Sequence, residues 1–422
     1  MTGSQLHVVF GHGQVGSQLV DRLLAHGARV RTVRRSPERS RHAAHETVQA
    51  DAFDREATIR AAAGATVVYH CANAPYHLWP TQLPPLYRNI AAGAQAARAR
   101  LVVLDNVYAV GATGTFDEDT PEQPCSRKGV IRKELADELR AMHARGDLAV
   151  TIGRASDFFG PGADNTTLLH PREIEQLLSA ATVDVLGDID QPHSWSYTPD
   201  VAAGLFALGL HPELAGQTLH LPVLPAQSGR SLLEALAAEL RPPLRTRRMP
   251  GWLLKVAGWF SPQMRELPEM QYQFERPFVM PDARIRGLLP IRPTPLEEQI
   301  RATASWLRAR LSSRTSCCLL PSARAPVARG DDGATFDLLG REEVGLDDGA
   351  ALERDARNGR IPDGVEPRER GRVDLRARNR PENFANGVVL GKAFPYSGSA
   401  RCLREDESCP KTSSRSVRSR TT

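Results

Sequence analysis

A turn punctuated by glycines near the start of the chain restricts its fold more than any other feature. Five largely apolar residues, Leu6 to Phe10, predict a short buried strand. Three glycines follow within the next six residues, namely Gly11, Gly13 and Gly16. Apolar residues then recur at helical spacing up to Gly27, and a second strand is predicted from Val30 to Val33. This order predicts the first unit of a dinucleotide-binding α/β fold.

The spacing of the three glycines has a physical reason. The first allows a sharp exit from the strand, the second lets the backbone approach a pyrophosphate, and the third lets the helix pack closely on the sheet. The unpaired N–H groups at the start of the helix then face the phosphates. The residues expected to hold the diphosphate are Gly11, Gly13, Gln14, Val15 and Gly16. A structural glycine turn that binds no nucleotide is the alternative.

The end of the second strand indicates which dinucleotide is bound. Arg34, Arg35 and Ser36 stand there, and no carboxylate precedes Glu38. A carboxylate at this point holds the ribose 2′-hydroxyl of NAD, whereas the planar guanidinium of arginine suits a 2′-phosphate. The sequence therefore favours NADP(H) over NAD(H), with a solvated basic loop as the alternative.

Composition excludes several classes of protein. The 422 residues carry a formal net charge of only +5, too small to indicate a nucleic-acid partner. No apolar run has the length of a membrane span, and the N-terminus enters a strand directly, so we expect a cytoplasmic protein without a membrane partner. Six cysteines are too few for a disulfide framework in a chain of 422 residues, and they show no metal-ligand spacing. We therefore expect neither a disulfide framework nor a metal site.

Strands and helices are predicted to alternate through the first part of the chain, which favours a Rossmann-type doubly wound parallel sheet over residues 1–167. The further strands are predicted at 47–50, 66–70, 101–105 and 149–152, and the helices between them at 55–63, 86–99 and about 131–144. Ligands of such sheets lie beyond the carboxyl ends of the strands. The loop residues expected there, beside the adenine and its ribose, are Asp51, Ala52, Cys71, Ala72 and Asn73.

Two further regions follow. Residues 168–311 are predicted to form a smaller substrate lobe, with some segments returning to the sheet and with lid helices at 252–260 and 264–274. Residues 312–422 lose both apolar content and periodicity, which predicts a disordered tail. We interpret the tail as an extension foreign to the rest, arising from a change of reading frame, with a regulatory tail as the alternative.

Three separated landmarks carry a resemblance to a known family. Arg154 and Asp157 precede a Gly-Pro-Gly turn at 160–162, Asp200 begins an Asp-Val-Ala segment, and a helix containing Lys133 follows the fifth strand. With the glycine turn, these features resemble the short-chain dehydrogenase/reductase superfamily, in its extended epimerase/dehydratase-like branch. The resemblance covers residues 5 to about 311. It implies an NAD(P)-dependent oxidoreductase or epimerase/dehydratase, and homodimers are common in that superfamily.

The resemblance also implies catalytic residues, and here the chain departs from the pattern. The family pair is YxxxK; taking Lys133 as its lysine puts Gly129 at the tyrosine position, and Asn106 stands where a serine or threonine is usual. In the family the tyrosine exchanges a proton with the substrate and the lysine holds the nicotinamide ribose. We therefore assign Lys133, Asn106 and, as a replacement acid/base, Tyr108 to the catalytic site, with a packing role as the alternative for Tyr108.

The expected activity is hydride transfer at a carbon–oxygen centre of a small polar substrate that resembles a nucleotide sugar. A regulator that binds NADP(H) without turnover is the alternative, which the missing tyrosine favours. Lys128 and Arg132 are further candidates for charge near the substrate, against a role as solvated residues at the start of a helix.

Overall fold

The computed structural model describes residues 5–318 apart from 37–39, 41, 164–167, 251, 254–255, 257–258 and 260–264. Its strands are β1 (Leu6–Phe10), β2 (Arg29–Arg34), β3 (His45–Gln49), β4 (Val67–His70), β5 (Arg100–Asn106), β6 (Gly114–Thr115), β7 (Val150–Ala155), β8 (Asp157–Phe159), β9 (Thr182–Val185), β10 (Pro192–His193), β11 (Trp195–Tyr197), β12 (Thr218–His220), β13 (Gln227–Ser228), β14 (Arg245–Arg248) and β15 (Phe278–Val279). Its helices are α1 (Gly16–Ala25), α2 (Arg55–Ala62), α3 (Trp79–Ala96), α4 (Arg127–Ala144), α5 (Pro171–Leu178), α6 (Thr198–Leu210), α7 (Gly229–Leu240), α8 (Tyr272–Glu275), α9 (Ala283–Leu288) and α10 (Leu296–Cys318).

A seven-stranded parallel sheet in the order β12-β7-β5-β4-β1-β2-β3 forms the centre. Successive residues of β1 point to opposite faces, so Val8 packs with α3 and α4 while Val9 packs with α1 and α6. The strand order reverses between β1 and β4, and the carboxyl ends of those two strands flank the crevice where such folds bind ligands. The predicted Rossmann-type doubly wound sheet is confirmed.

Segments of the second region return to the central sheet, and helix α3 begins earlier than predicted. The strand at 218–220 is the edge strand β12 of the central sheet, and α6 packs against α1 on the same sheet, so both return from the second region. Helix α3 begins at Trp79 instead of Leu86 and contains Pro84 and Pro85. Burial of Trp79 and Leu83 explains the earlier start, because tertiary packing overrides the local preference of proline.

The smaller lobe has its own core. Phe159, Leu177, Leu233, Leu236 and Leu307 are buried together where α5, α7 and α10 meet. Helix α10 continues to Cys318, seven residues beyond Leu311, where the smaller lobe was predicted to end. The rest of the predicted tail, residues 319–422, lies outside the described residues.

The two predicted lid helices have different outcomes. In the first, the four described residues (Trp252, Leu253, Val256 and Trp259) are helical and exposed. The second, predicted over 264–274, is interrupted: Pro268 begins a 3₁₀ turn that ends at Met270, and α8 follows. Proline lacks the N–H that a continuous helix needs, which explains the break. Among the described residues no helix has the length and apolarity to cross a bilayer.

Candidate functional site

The glycine turn between β1 and α1 is built as its spacing predicts. Gly11 has a φ of +96°, and a Cβ there would lie 2.6 Å from the amide nitrogen of Ala72. A Cβ on Gly16 would overlap the carbonyl oxygen of Gly11, so the helix can approach the turn only with glycine at that position. Gly13, in contrast, has free space at its Cβ position, with no atom of a non-neighbouring residue within 4 Å. The turn therefore leaves open space where a phosphate would approach.

The start of α1 faces this space. Val15 provides no side-chain cap for the helix, and the first turn contains no acidic residue. Gln18 donates from Nε2 to the carbonyl oxygens of Gln14 and Pro161, both at 2.9 Å, and so ties the Gly-Pro-Gly turn to the glycine turn. An uncapped helix start with a positive dipole and no carboxylate in its first turn fits an anionic diphosphate.

The structure brings the expected adenine-side residues to neighbouring strand ends. Arg34 ends β2, Arg35 follows it, and Gln49 of β3 donates to the carbonyl oxygen of Arg35 at 3.0 Å. Asp51 lies just beyond β3, and its Oδ1 accepts from the amide of Phe53 at 3.1 Å, while Ala52 comes next. Asp51 is thus already used in a turn, and two arginines stand at the end of β2.

Sequence reasoning missed His12, which lies inside the glycine turn. Burial lowers the pKa of His12, and the positive charge of Arg34 lowers it further. The imidazole of His12 is therefore neutral at neutral pH and adds a hydrogen-bonding group, not a charge, to this edge of the site. Its position between two glycines of the motif was the available signal.

Residues after β4 form the floor of the crevice. The amide of Cys71 donates to the carbonyl oxygen of Phe10 at 2.8 Å, and the backbone of Ala72 packs on Gly11. Burial raises the pKa of the Cys71 thiol to about 12, so it is not a nucleophile at neutral pH. Asn73 Oδ1 accepts from the amide of Ala74 at 3.0 Å and from the guanidinium of Arg132 at 3.2 Å.

Tyr108 and Asn106 lie together beyond β5. Asn106 Oδ1 accepts from the amide of Tyr108 at 3.1 Å and fixes the turn that carries this tyrosine. The hydroxyl of Tyr108 lies 2.7 Å from that of Tyr76, so the two phenols form a hydrogen-bonded pair. Burial raises the pKa of Tyr76 to about 12 and that of Tyr108 well above 10. At neutral pH the pair can donate a proton but does not supply a phenolate.

Lys133 is not brought to these residues. Its ammonium lies 2.6 Å from Asp137, one helical turn further along the outer face of α4. The buried residues of α4 are Lys128, Gly129, Arg132, Leu135, Ala136 and Leu139. Lys133 is one residue past Arg132 and therefore about 100° around the helix from it. The assignment of Lys133 to the site came from the resemblance and stays a prediction; in the structure its ammonium pairs with Asp137 and not with Tyr108 or Asn106.

The inner face of α4 presents two other cations. The ammonium of Lys128 pairs with Glu266 and, at 3.1 Å, with Glu269. The guanidinium of Arg132 donates to Tyr87, lies 3.3 Å from Asp105 and stands 4.3 Å from the centre of the Trp79 ring. The exposed fractions of Lys128 and Arg132 are 2% and 5%, so the alternative of solvated helix-start residues is wrong.

A carboxylate–imidazole pair borders the tyrosines. Asn106 and Ala155 are register partners of β5 and β7, so the extensions carrying Tyr108 and Asp157 run side by side. Asp157 Oδ2 lies 2.9 Å from Nε2 of His193, whose ring stacks on Phe274. The charge of Asp157 contributes to the raised pKa values of Tyr76 and Tyr108. Among the described residues no cluster of potential metal ligands occurs.

Comparison with known proteins points to one family. A model of the NAD dependent epimerase/dehydratase family matches residues 7–220. The comparison with curated proteins found no match. Three solved structures share the fold. They are an epimerase from Methanothermobacter thermautotrophicus (17% identity, TM-score 0.61, 74% of this chain and 95% of that one), UDP-glucuronic acid 4-epimerase from Bacillus cereus in complex with NAD (15%, 0.58, 73% and 98%) and dTDP-glucose 4,6-dehydratase from Streptomyces venezuelae with NAD bound (19%, 0.58, 73% and 98%).

Proposed function

The chain belongs to the NAD-dependent epimerase/dehydratase family, and we propose that it is a nicotinamide-dependent enzyme acting on a carbon–oxygen centre of a small polar substrate. The open space at Gly13 carries this proposal, because it lies at a strand-to-helix junction beside an uncapped helix start. A diphosphate can approach the backbone at Gly13 without meeting a side chain, and the positive end of the α1 dipole attracts its negative charge.

The cofactor is held by residues from three strand ends. Backbone groups of the turn from Gly11 to Gly16 receive the diphosphate, Asp51 and Ala52 border the adenosine, and the segment 71–73 forms the floor. Arg34 and Arg35, at the end of β2, favour a 2′-phosphate, so we propose NADP(H) over NAD(H).

A bound nicotinamide ring supplies or accepts the hydride in this chemistry. A side chain of the protein then has to donate one proton to the substrate oxygen. We assign proton donation to Tyr108, because its hydroxyl stays protonated at neutral pH and Tyr76 holds it in place. Asn106 positions Tyr108 through its amide and does not itself react.

The substrate class is proposed by analogy. Two of the neighbouring folds are named for nucleotide sugars, UDP-glucuronic acid and dTDP-glucose. We propose a nucleotide-sugar-like substrate whose reacting carbon lies beside Tyr108. The aromatic ring of Trp79 and the cation of Arg132 stand next to this tyrosine.

Titration of the purified full chain with NADPH and NADH, followed by intrinsic fluorescence, tests the proposal. We expect micromolar binding, with NADPH the tighter ligand. Addition of UDP- and dTDP-sugars to the complex with the oxidised or reduced coenzyme should then either change the absorbance at 340 nm or, where the coenzyme returns to its starting state in each turnover, convert the sugar nucleotide into a product separable by chromatography. A regulator would bind the coenzyme and give neither result. Absence of binding by either coenzyme at millimolar concentration would overturn the proposal. Homodimerisation stays a prediction.

A further inference from the structure

We infer that Arg132 is the residue that holds the ribose of the nicotinamide half of the dinucleotide. This inference rests on the proposed function and adds a residue that the sequence did not assign to the cofactor. It follows from where the guanidinium lies, which donors it has left, and how the charges around it balance.

The position of Arg132 is at the carboxyl ends of two neighbouring central strands. Its guanidinium contacts Asn73, three residues beyond β4, and Asp105, the penultimate residue of β5. In such a sheet the adenine half of a dinucleotide lies over β1, β2 and β3, and Arg34 ends β2 on that side. The nicotinamide half lies on the other side of the point between β1 and β4 at which the strand order reverses. Arg132 is therefore on the nicotinamide side of the crevice.

The guanidinium also has an unused donor. It carries five N–H groups, and its partners among the described residues are Tyr87, Asp105 and Asn73. The Nε of Arg132 is buried and has no hydrogen-bond partner in the part of the chain that the structure describes. A buried donor without a partner is destabilising, so a ribose hydroxyl that accepts from this group would be favoured on binding.

The carboxylate beside Arg132 is not its own. Asp105 is shared between Arg132 and Arg154, at 3.3 and 3.4 Å. Among the described residues Arg132 pairs with no other carboxylate. A guanidinium whose counter-charge is shared in this way is complemented by a ligand that carries a diphosphate next to its ribose.

The test compares a complete dinucleotide with its adenine half. Dissociation constants of NADPH and 2′,5′-ADP are measured by fluorescence and calorimetry for the wild type, Arg132→Met, Arg132→Lys and the neighbouring Lys133→Met. Where the wild type prefers NADH, the pair NADH and ADP is used. We expect Arg132→Met to raise the dissociation constant of NADPH at least tenfold and that of 2′,5′-ADP less than twofold. Lys133→Met should change neither dissociation constant by more than twofold.

Arg132→Lys covers the case in which the methionine variant does not fold, because lysine keeps the charge beside Asp105 and loses the planar fork. It should weaken NADPH at least threefold and leave 2′,5′-ADP unchanged. Equal losses for both ligands, or no loss for either, would overturn the assignment of Arg132 and leave the proposed function intact. A wild type that binds neither ligand would overturn the proposed function itself.

Discussion

The hydroxyl of Tyr108 lies 2.7 Å from the hydroxyl of Tyr76, and Tyr108 is buried while Tyr76 is half-buried. Tyr108 comes from the loop after β5 and Tyr76 from the 3₁₀ turn before α3, so two separate segments meet at this one hydrogen bond. Because burial raises both pKa values, both hydroxyls are protonated at neutral pH. The pair therefore presents neutral hydroxyls, of which that of Tyr108 is the proposed proton donor.

Replacing Tyr108 with phenylalanine removes that proton donor. With a sugar nucleotide that the wild type turns over, we expect kcat to fall at least 100-fold, the usual effect of losing a general acid. The unfolding free energy should fall by about 1 kcal/mol from the lost buried hydrogen bond. Tyr69→Phe is the matched control, since it removes a buried hydroxyl that bonds to His7 away from the site. Equal kcat values for the two variants would exclude Tyr108 from catalysis.

Gly13→Ala separates binding from folding. The added methyl meets no atom of the protein within 4 Å, so the thermal midpoint should stay within about 1 °C of the wild type. It enters the space assigned to the diphosphate, and we expect NADPH to bind at least tenfold more weakly. Gly287→Ala also adds a methyl in open space, within helix α9, and should leave the affinity for NADPH unchanged. Unchanged NADPH affinity in Gly13→Ala would place the dinucleotide elsewhere.

The choice of coenzyme is tested at the end of β2. The double variant Arg34→Ala, Arg35→Ala should weaken NADPH about tenfold, because a 2′-phosphate loses its guanidinium partners, and should leave NADH within twofold. Arg29→Ala removes an exposed arginine at the opposite end of the same strand and serves as the control. If NADPH and NADH lose affinity equally, the arginines stabilise the loop and do not select the coenzyme.

The pH dependence of stability should report His70, a buried imidazole at the end of β4. Burial lowers its pKa from 6.5 to about 3. Between these two pH values the imidazole is protonated in the unfolded chain and neutral in the folded chain. Stability is therefore lost as the pH falls, by about 1.4 kcal/mol between pH 7.5 and 5.5. In His70→Phe the difference in unfolding free energy between these two pH values should shrink by about that amount. An unchanged difference would mean that the imidazole ionises equally in both states.

The strands and helices at the start of the predicted 1–167 region can be predicted from the sequence because the patterns that specify them are local. The glycine spacing and the apolar run from Leu6 to Phe10 act within one strand-turn-helix unit, and both appear in the structure at the predicted positions. The return of β12 to the sheet is not encoded locally. It depends on pairing of Thr218 with Ile152, two residues far apart in the chain.

Helix α4 shows that residue type alone does not determine which face of a helix a side chain lies on. Lys133 matched the expected lysine by letter, yet the buried face of α4 is set by which residues pack against α3 and the sheet. That face passes through Lys128 and Arg132, four residues apart, and leaves Lys133 outside. Partners for these two cations come from residues such as Glu266 and Asp105, which no spacing within the helix reveals.

Lys128→Met tests whether the ammonium on that face holds the segment carrying Glu266 and Glu269. Loss of the buried cation leaves two carboxylates facing a methionine, so we expect the unfolding free energy to fall by about 3 kcal/mol. Cleavage by a Glu-specific protease at these residues should also become faster under native conditions. Lys133→Met, on the same helix, breaks only a half-exposed pair with Asp137 and should change stability by less than about 0.5 kcal/mol. Similar losses in the two variants would show that Lys128 contributes no more than a surface charge.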